Sequence, residues 1–465
     1  MINSGNGNPD IQPTFIAPSS NVGNPPASAS INATSDVEFP YPLGSAFSLT
    51  NSGVEENASG LFITADSVEV TNGALLAAST NGKGDAGKVI INARNLIKFD
   101  GKSGAFSGVE SQGKGNAGGV FITTQSLEVT NGAQLSTTTR GIGNAGSIII
   151  NARNLVKFDG ELNEFSSGAF SGLESKAKGN AGGISITTDS LEVTNGAQLS
   201  TNTKGIGNAG IININANNLV KFDGESTKGF NSSALSRVSP GGNGNAGGLS
   251  IITDLLEVSN GAELSATTFG KGDAGSVTIN ATSNVKFDGI GKDENPSGAF
   301  SQVKSEEESN AGDVFITTNL LKVSNGAELS ASTNGKGNAG SVKIAADNIL
   351  LDNGVVKSNV GETGEGKAGG IDISTSFLKA TNDAELNANT NGKGDAGSVK
   401  INANETIFFD NSKILSDVGE TGKGKGGNIN ITSLSHITQD FAVIKKNCFV
   451  SINFDTTCIS FSISI

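Results

Sequence analysis

Along most of the chain, aliphatic residues alternate with polar ones in short runs, the period-two pattern of strands with one buried face. The cleanest run reads Val120-Phe121-Ile122, Ile148-Ile149-Ile150, Ile184-Ser185-Ile186, Val277-Thr278-Ile279, Val342-Lys343-Ile344 and Ile429-Asn430-Ile431. Its two outer aliphatics point inward. A second run is Leu127-Glu128-Val129-Thr130 or Val156-Lys157-Phe158, followed by Asn-Gly or Asp-Gly, dipeptides that favour tight turns. The third is Ala133-Gln134-Leu135-Ser136-Thr137 or Ala105-Phe106-Ser107-Gly108-Val109.

These runs are punctuated by an Asx-Ala-Gly signature that decays in places. It starts at Asn57, Asp85, Asn116, Asn144, Asn180, Asn208, Asn245, Asp273, Asn310, Asn338, Lys367, Asp395 and Lys425. The step from an odd start to the next even one is always 28 residues, whereas the step from even to odd is 29 to 37, so the true period is a pair of units. Units of near-constant length without a helix-period segment place equivalent residues one above another in parallel register. The pattern predicts an all-β fold, a parallel β-helix (solenoid) of about 13 three-strand coils in paired repeats. Parallel crossovers are right-handed in ~98% of cases, so the right-handed form is expected.

On the second strand the outward residue is Glu69, Lys98, Glu128, Lys157, Glu192, Lys221, Glu257 and Lys286 in successive coils, until Lys322 breaks the alternation. Stacked at the strand spacing, such a ladder keeps coils in register at ~0.2–1 kcal/mol per pair. Composition supports the repeat reading: 64 glycines, 9 prolines, no tryptophan and 35% hydrophobic residues fit neither collagen nor disorder. A net charge of −13 repels phosphate backbones and argues against nucleic-acid binding. No apolar run is long enough for a membrane span, and MINSGNGNPDIQPTF has no export-signal pattern.

Three regions follow. Residues 1–56 hold seven prolines among Asn, Ser and Gly and read as a linker or disordered segment. Residues 57–432 are the β-helix. Residues 433–465 lack the repeat vocabulary and are expected to be either a cap on the open edge or foreign sequence, not another coil.

The paired units, as in GNAGGISITTDSLEVTNGAQLSTNTKGIGNAG (residues 179–210) with the NLVKFDG and AFSGLES elements, resemble the repeat region of filamentous haemagglutinin-like exoproteins. The closest resemblance is to cyanobacterial members labelled haemagglutination-activity or S-layer-like proteins, and it covers about residues 57–432. It implies a right-handed β-helical shaft, export through an outer-membrane transporter of the two-partner secretion type, a cell-surface or extracellular location, and a role in adhesion or the envelope. The family's signal peptide and N-terminal secretion domain have no counterpart in 1–56, so a severed shaft is an expectation too. The resemblance brings no catalytic residues.

A carbohydrate-active enzyme is the main alternative, because β-helices also carry polysaccharide lyases and hydrolases. Such sites need paired carboxylates or acidic calcium ligands with a placed cation. Of the arginines Arg94, Arg140, Arg153 and Arg237, the pair Arg94 and Arg153 share a repeat position, which marks scaffold. Aromatic platforms are not expected: Tyr41 lies in the linker, and Phe99, Phe158, Phe222 and Phe287 sit at inward positions. Asp85, Asp273 and Asp395 recur in GKGDAG, but turn formation explains them better than calcium. One histidine, His436, and two cysteines, Cys448 and Cys458, do not make a zinc site, and whether the cysteines pair is open. No catalytic, cofactor or metal residue is assigned.

Two surfaces remain. Outward Ser136 and Thr138, Ser200 and Asn202, Ser265 and Thr267, Ser330 and Ser332, and Asn387 and Asn389 on the third strand read as generic solvation. The loops between strands two and three of even coils, Glu161–Gly168, Glu225–Ser233 and Ile290–Gly298 against the short Lys102–Gly104, vary while the scaffold stays fixed. The expected function is a non-enzymatic surface adhesin or envelope protein, binding cell-surface or matrix glycans or proteins, with end-to-end self-association through open coil edges. The alternatives are the enzyme and a non-functional gene fragment.

Overall fold

The structure, a computed structural model, describes residues 2–4, 29–40, 45–53, 55–434, 436–444, 449–454 and 463–464. No helix occurs among them. The chain divides into two compact units, Met1–Lys221 with Glu225–Gly244, and Phe222–Gly224 with Asn245–Ile465. Each is by itself a parallel β-solenoid, and the described residues make about 13 turns in all.

The alternation sets the register. Val120–Thr130 runs parallel to Ile148–Asp159 with Val120 opposite Ile148, Ile122 opposite Ile150, Leu127 opposite Val156 and Val129 opposite Phe158. All eight are buried, each contributing ~1.5–3 kcal/mol of apolar transfer. The first two predicted strands are one continuous strand here, bent at a corner where the register shifts between Thr124 and Ser126. The shift arises because Gln125 alone fills the corner of one coil while Arg153 and Asn154 fill it in the next. The earlier coils keep the two strands apart, as Leu61–Ala65 and Val68–Thr71.

Each letter of the Asx-Ala-Gly signature has a physical task. The Asx side chain accepts the backbone N–H of the Asx one coil later: Asp85 to Asn57 (2.7 Å), Asn116 to Asp85 (2.6 Å), Asn144 to Asn116 (3.0 Å), Asn180 to Asn144 (2.8 Å) and Asn208 to Asn180 (2.9 Å). In the second unit the same ladder runs from Asn245 through Asp273, Asn310 and Asn338 to the amide of Lys367. The alanine fills a small inward site, as at Ala86, Ala145 and Ala209. The glycine lets coils stack closely, since a Cβ on Gly210 would collide with the Gly182 carbonyl. Its own carbonyl accepts a buried hydroxyl from strand three: Ser107 to Gly87, Ser171 to Gly146, Ser236 to Gly210 and Ser301 to Gly275, at 2.6–2.9 Å.

The alternation of Asn-Gly with Asp-Gly also resolves into two jobs. Asn131, Asn195, Asn260 and Asn325 have φ near +55° and are followed by a positive-φ glycine, the conformation of a type I′ turn. The aspartates end their strands and act as acceptors. Asp100 takes the Thr130 hydroxyl (2.6 Å) and the Asn131 amide (2.6 Å), and Asp288 takes Ser324 (2.6 Å) and Asn325 (2.8 Å). Asp159 and Asp223 hold the following coil in the same way. For Asp288, partial burial works to raise the carboxyl's pKa, but the Ser324, Lys286 and Asn325 donors outweigh it and hold it below the ordinary range.

The charge ladder has the expected register, with Lys98 between Glu69 and Glu128, Lys157 between Glu128 and Glu192, and Lys286 opposite Glu257. Yet Lys157 and Lys286 make close ion pairs with Asp159 (3.8 Å) and Asp288 (3.0 Å), two residues on along the same strand.

Both predicted ends of the β-helix move outward. Ala29–Ala33, Val37–Pro40 and Ala46–Phe47, assigned to a linker, pair in parallel with Leu61–Ala65, Val68–Thr71 and Leu75–Ala77. Ile31, Val37 and Phe39 are buried there, so the inward pattern persists where the Asx-Ala-Gly vocabulary has faded. At the other end His436–Ile444 pairs with Thr406–Leu415, and Phe449–Phe454 with Asn428–Ser433. The described strands of the tail therefore continue the coil ladder, since parallel pairing needs an extended backbone and not the turn residues. Cys448 and Cys458 lie outside the described residues.

Candidate recognition groove

In the first unit, strand three places one outward column in register: Phe47, Ala77, Phe106, Ser136, Phe170 and Ser200. A phenylalanine stands in three alternate coils with a small residue between, and a buried Leu235 takes the place in the coil after Ser200. Their inward neighbours Leu76, Ala105, Leu135, Ala169 and Leu199 are fully buried, which fixes the rings on the outer face. Phe106 and Phe170 fold back over Gly104 and Gly168. A Cβ on Gly104 would stand 2.6 Å from Phe106 Cε2, one on Gly168 would stand 3.0 Å from Phe170 Cε2, and both would collide with a carbonyl of the next coil. Only glycine lets the rings lie down on the sheet here.

The column is the floor of a groove. One cavity of about 360 Å³ is lined by Phe106, Phe170 and the side chains of Gln134, Ser136, Thr138, Gln198, Ser200 and Asn202. A second, of about 430 Å³, shares Phe106 and continues over Phe47, Leu49, Leu75 and Ala77. One wall holds two ion pairs, Arg140 with Glu110 and Lys204 with Glu174, each at 3.1 Å. The hydroxyls of Ser136 and Thr138 are 3.1 Å apart.

The even-coil loops lead into strand three beside this column. Glu161–Leu162 and Phe165–Ser166 form a small antiparallel hairpin, and the Gln134 amide donates to the Ser166 carbonyl (3.2 Å). Thr227 of the next such loop donates to Glu161 (2.8 Å), and Lys102 lies 5.0 Å from the Phe165 ring centre. Leu162, Phe165 and Phe230 are exposed at 38%, 51% and 37%, so the loops present apolar side chains to solvent.

Two expectations change. Of the third-strand residues read as generic solvation, Ser136, Thr138, Ser200 and Asn202 are the polar part of a lined groove while Ser265, Thr267 and Ser330 are buried, and outward aromatic rings, expected to be missing, stand on the first-unit face. The signal was the tripeptide Gly-Ala-Phe at 104–106, 168–170 and 298–300, whose buried alanine forces the phenylalanine outward. In the second unit the corresponding column reads Ser265, Phe300, Ser330, Lys357, Asn387 and Leu415, and Phe300 is only 8% exposed.

The remaining candidates are scaffold. Asp85, Asp273 and Asp395 each accept a backbone N–H from the following coil at 2.6–3.0 Å. Arg94 pairs with Asp66 at 3.1 Å. Glu55 and Glu365 are held below the ordinary carboxylate range by hydrogen bonds and charge from Lys83 and Lys393. Among the described residues no cluster of three or more His, Cys, Asp or Glu is placed to hold a metal ion, and no helix is long and apolar enough to cross a membrane. A scan against protein-family models finds no match for the chain, and searches of curated proteins and of solved structures find none either.

Proposed function

We propose that this chain is the β-helical shaft of a filamentous haemagglutinin-like surface exoprotein, acting as a non-enzymatic adhesin. The observation that carries the reading is the groove of the first unit: aromatic rings at alternate coils, neutral amides and hydroxyls between them, on a scaffold held rigid by hydrogen-bond ladders. The two carboxylates that face it, Glu110 and Glu174, are closed into ion pairs with Arg140 and Lys204, an arrangement suited to binding and not to proton transfer. The repeat vocabulary supports export by a two-partner secretion transporter and an extracellular or cell-surface location. Multivalent display along stacked coils then supplies avidity from individually weak contacts.

The test is fractionation of the source cells with protease shaving of intact cells. Surface protein that disappears on shaving is the expected result. Protein recovered only from the cell interior overturns the adhesin reading and favours a shaft severed from its export domain.

A further inference from the structure

We propose that the groove binds an uncharged polysaccharide chain lying along the stacking direction, across the strands. This deepens the proposed function by assigning a ligand class, and it rests on reading the third-strand face as the recognition surface.

Three features carry the assignment. First, Phe106 and Phe170 are two coils apart, roughly 9.6 Å at the ~4.8 Å strand spacing, and Phe47 extends the row by the same step. Rings laid on a flat sheet at a regular interval suit a repeating polymer of flat units whose C–H faces rest on the negative face of an aromatic ring. Second, the groups between the rings are neutral and bifunctional. Gln134, Ser136 and Thr138 in one coil, and Gln198, Ser200 and Asn202 in another, each offer both a donor and an acceptor, as sugar hydroxyls do. Third, the nearby charges cancel: Arg140 is held by Glu110 and Lys204 by Glu174. An anionic polymer would have to break those pairs and approach a chain of net charge −13. The chemistry therefore selects a neutral glycan over an acidic one.

The experiment uses the purified full chain in co-sedimentation with insoluble neutral polysaccharides (cellulose, chitin, xylan and mannan) against acidic controls (alginate and pectate), followed by titration with soluble oligosaccharides of the retained polymer. Retention on at least one neutral polymer is expected, with that polymer recovered unshortened. The double variant F106A/F170A should bind roughly tenfold more weakly, and S136R, which fills the gap between the rings without removing them, should abolish retention. F300A, in the buried column of the second unit, should bind as the parent does. Circular dichroism of each variant guards against misfolding, and S136R preserves the test if F106A/F170A fails to fold. Retention on acidic polymers alone, retention that survives S136R, or no retention on any neutral polymer overturns the assignment. A chain exposed on cells that binds no neutral glycan loses the ligand class and keeps the surface reading. A chain that binds glycan yet stays inside the cell does the reverse.

Discussion

Asp288 offers the sharpest test of how coils are locked together. Its carboxylate accepts the Ser324 hydroxyl at 2.6 Å and the Asn325 amide at 2.8 Å, both from the following coil, and pairs with Lys286 at 3.0 Å. The side chain is 26% exposed, so solvent screens part of each interaction. A hydrogen bond to a charged group contributes ~1.5–3 kcal/mol and leaving its partners unpaired adds to the loss, so after screening Asp288→Ala should cost about 2–4 kcal/mol. Asp288→Asn keeps a carbonyl acceptor but loses the charge, and should cost about 1–2 kcal/mol at neutral pH. The folded carboxyl titrates below its unfolded value. Its contribution is therefore fully present above the unfolded pKa of about 3.9 and disappears as pH falls through the lower folded value. The measurement is urea unfolding of parent and variant between pH 7 and pH 2.5, with hydrogen exchange at Ser324 and Asn325 as the local readout. The parent should lead Asp288→Asn at pH 7, and the lead should shrink steadily below pH 4. A gap that stays constant over that range would refute the charge-assisted clamp.

Two further changes test the ladders. Lys367 occupies an Asx position and its side chain has no acceptor to offer the Asp395 amide, whereas Asn338 one coil earlier accepts from Lys367 itself at 2.9 Å. Lys367→Asn should restore the missing rung and raise stability by about 0.5–1.5 kcal/mol, read as an upward shift of the urea midpoint; no gain would mean that water serves the amide equally well. Gly168→Ala drives a methyl group into the Gln198 carbonyl and against Phe170. Because the first obstacle is backbone, the cost should reach the upper part of the ~1–3 kcal/mol range for overpacking, measured by thermal unfolding, and a neutral result would show that the third strand yields easily.

Fold class and register were legible because inward positions such as Val120, Ile122, Leu127 and Val129 obey a strict period of two, and a slip by one residue would expose all of them. What lay outside that pattern was harder to read. The coil at Ala29–Phe47 keeps its apolar positions but not its turn residues, and prolines nearby drew the boundary too late. The tail shows the same dissociation, since backbone pairing carries no residue signature. The groove was hidden for another reason. Phe99 and Phe158 are inward and Phe106 and Phe170 outward, a distinction carried only by the parity of the buried Ala105 and Ala169. The loops beside it were recognisable as variable, but their link to the third strand emerges only from contacts such as that of Gln134 with Ser166.

The aspartate clamp joins an even coil to the odd coil that follows, and the aromatic column returns only once per two coils. Removing a single coil would set two aspartate edges, or two Asn-Gly edges, against one another and double a ring against its neighbour. Removing or duplicating a pair keeps every clamp edge matched to its partner. Genetic gain and loss in such a protein should therefore proceed in even steps. Duplicating the pair that carries Phe106 or Phe170 would lengthen the aromatic row without a new side chain being invented.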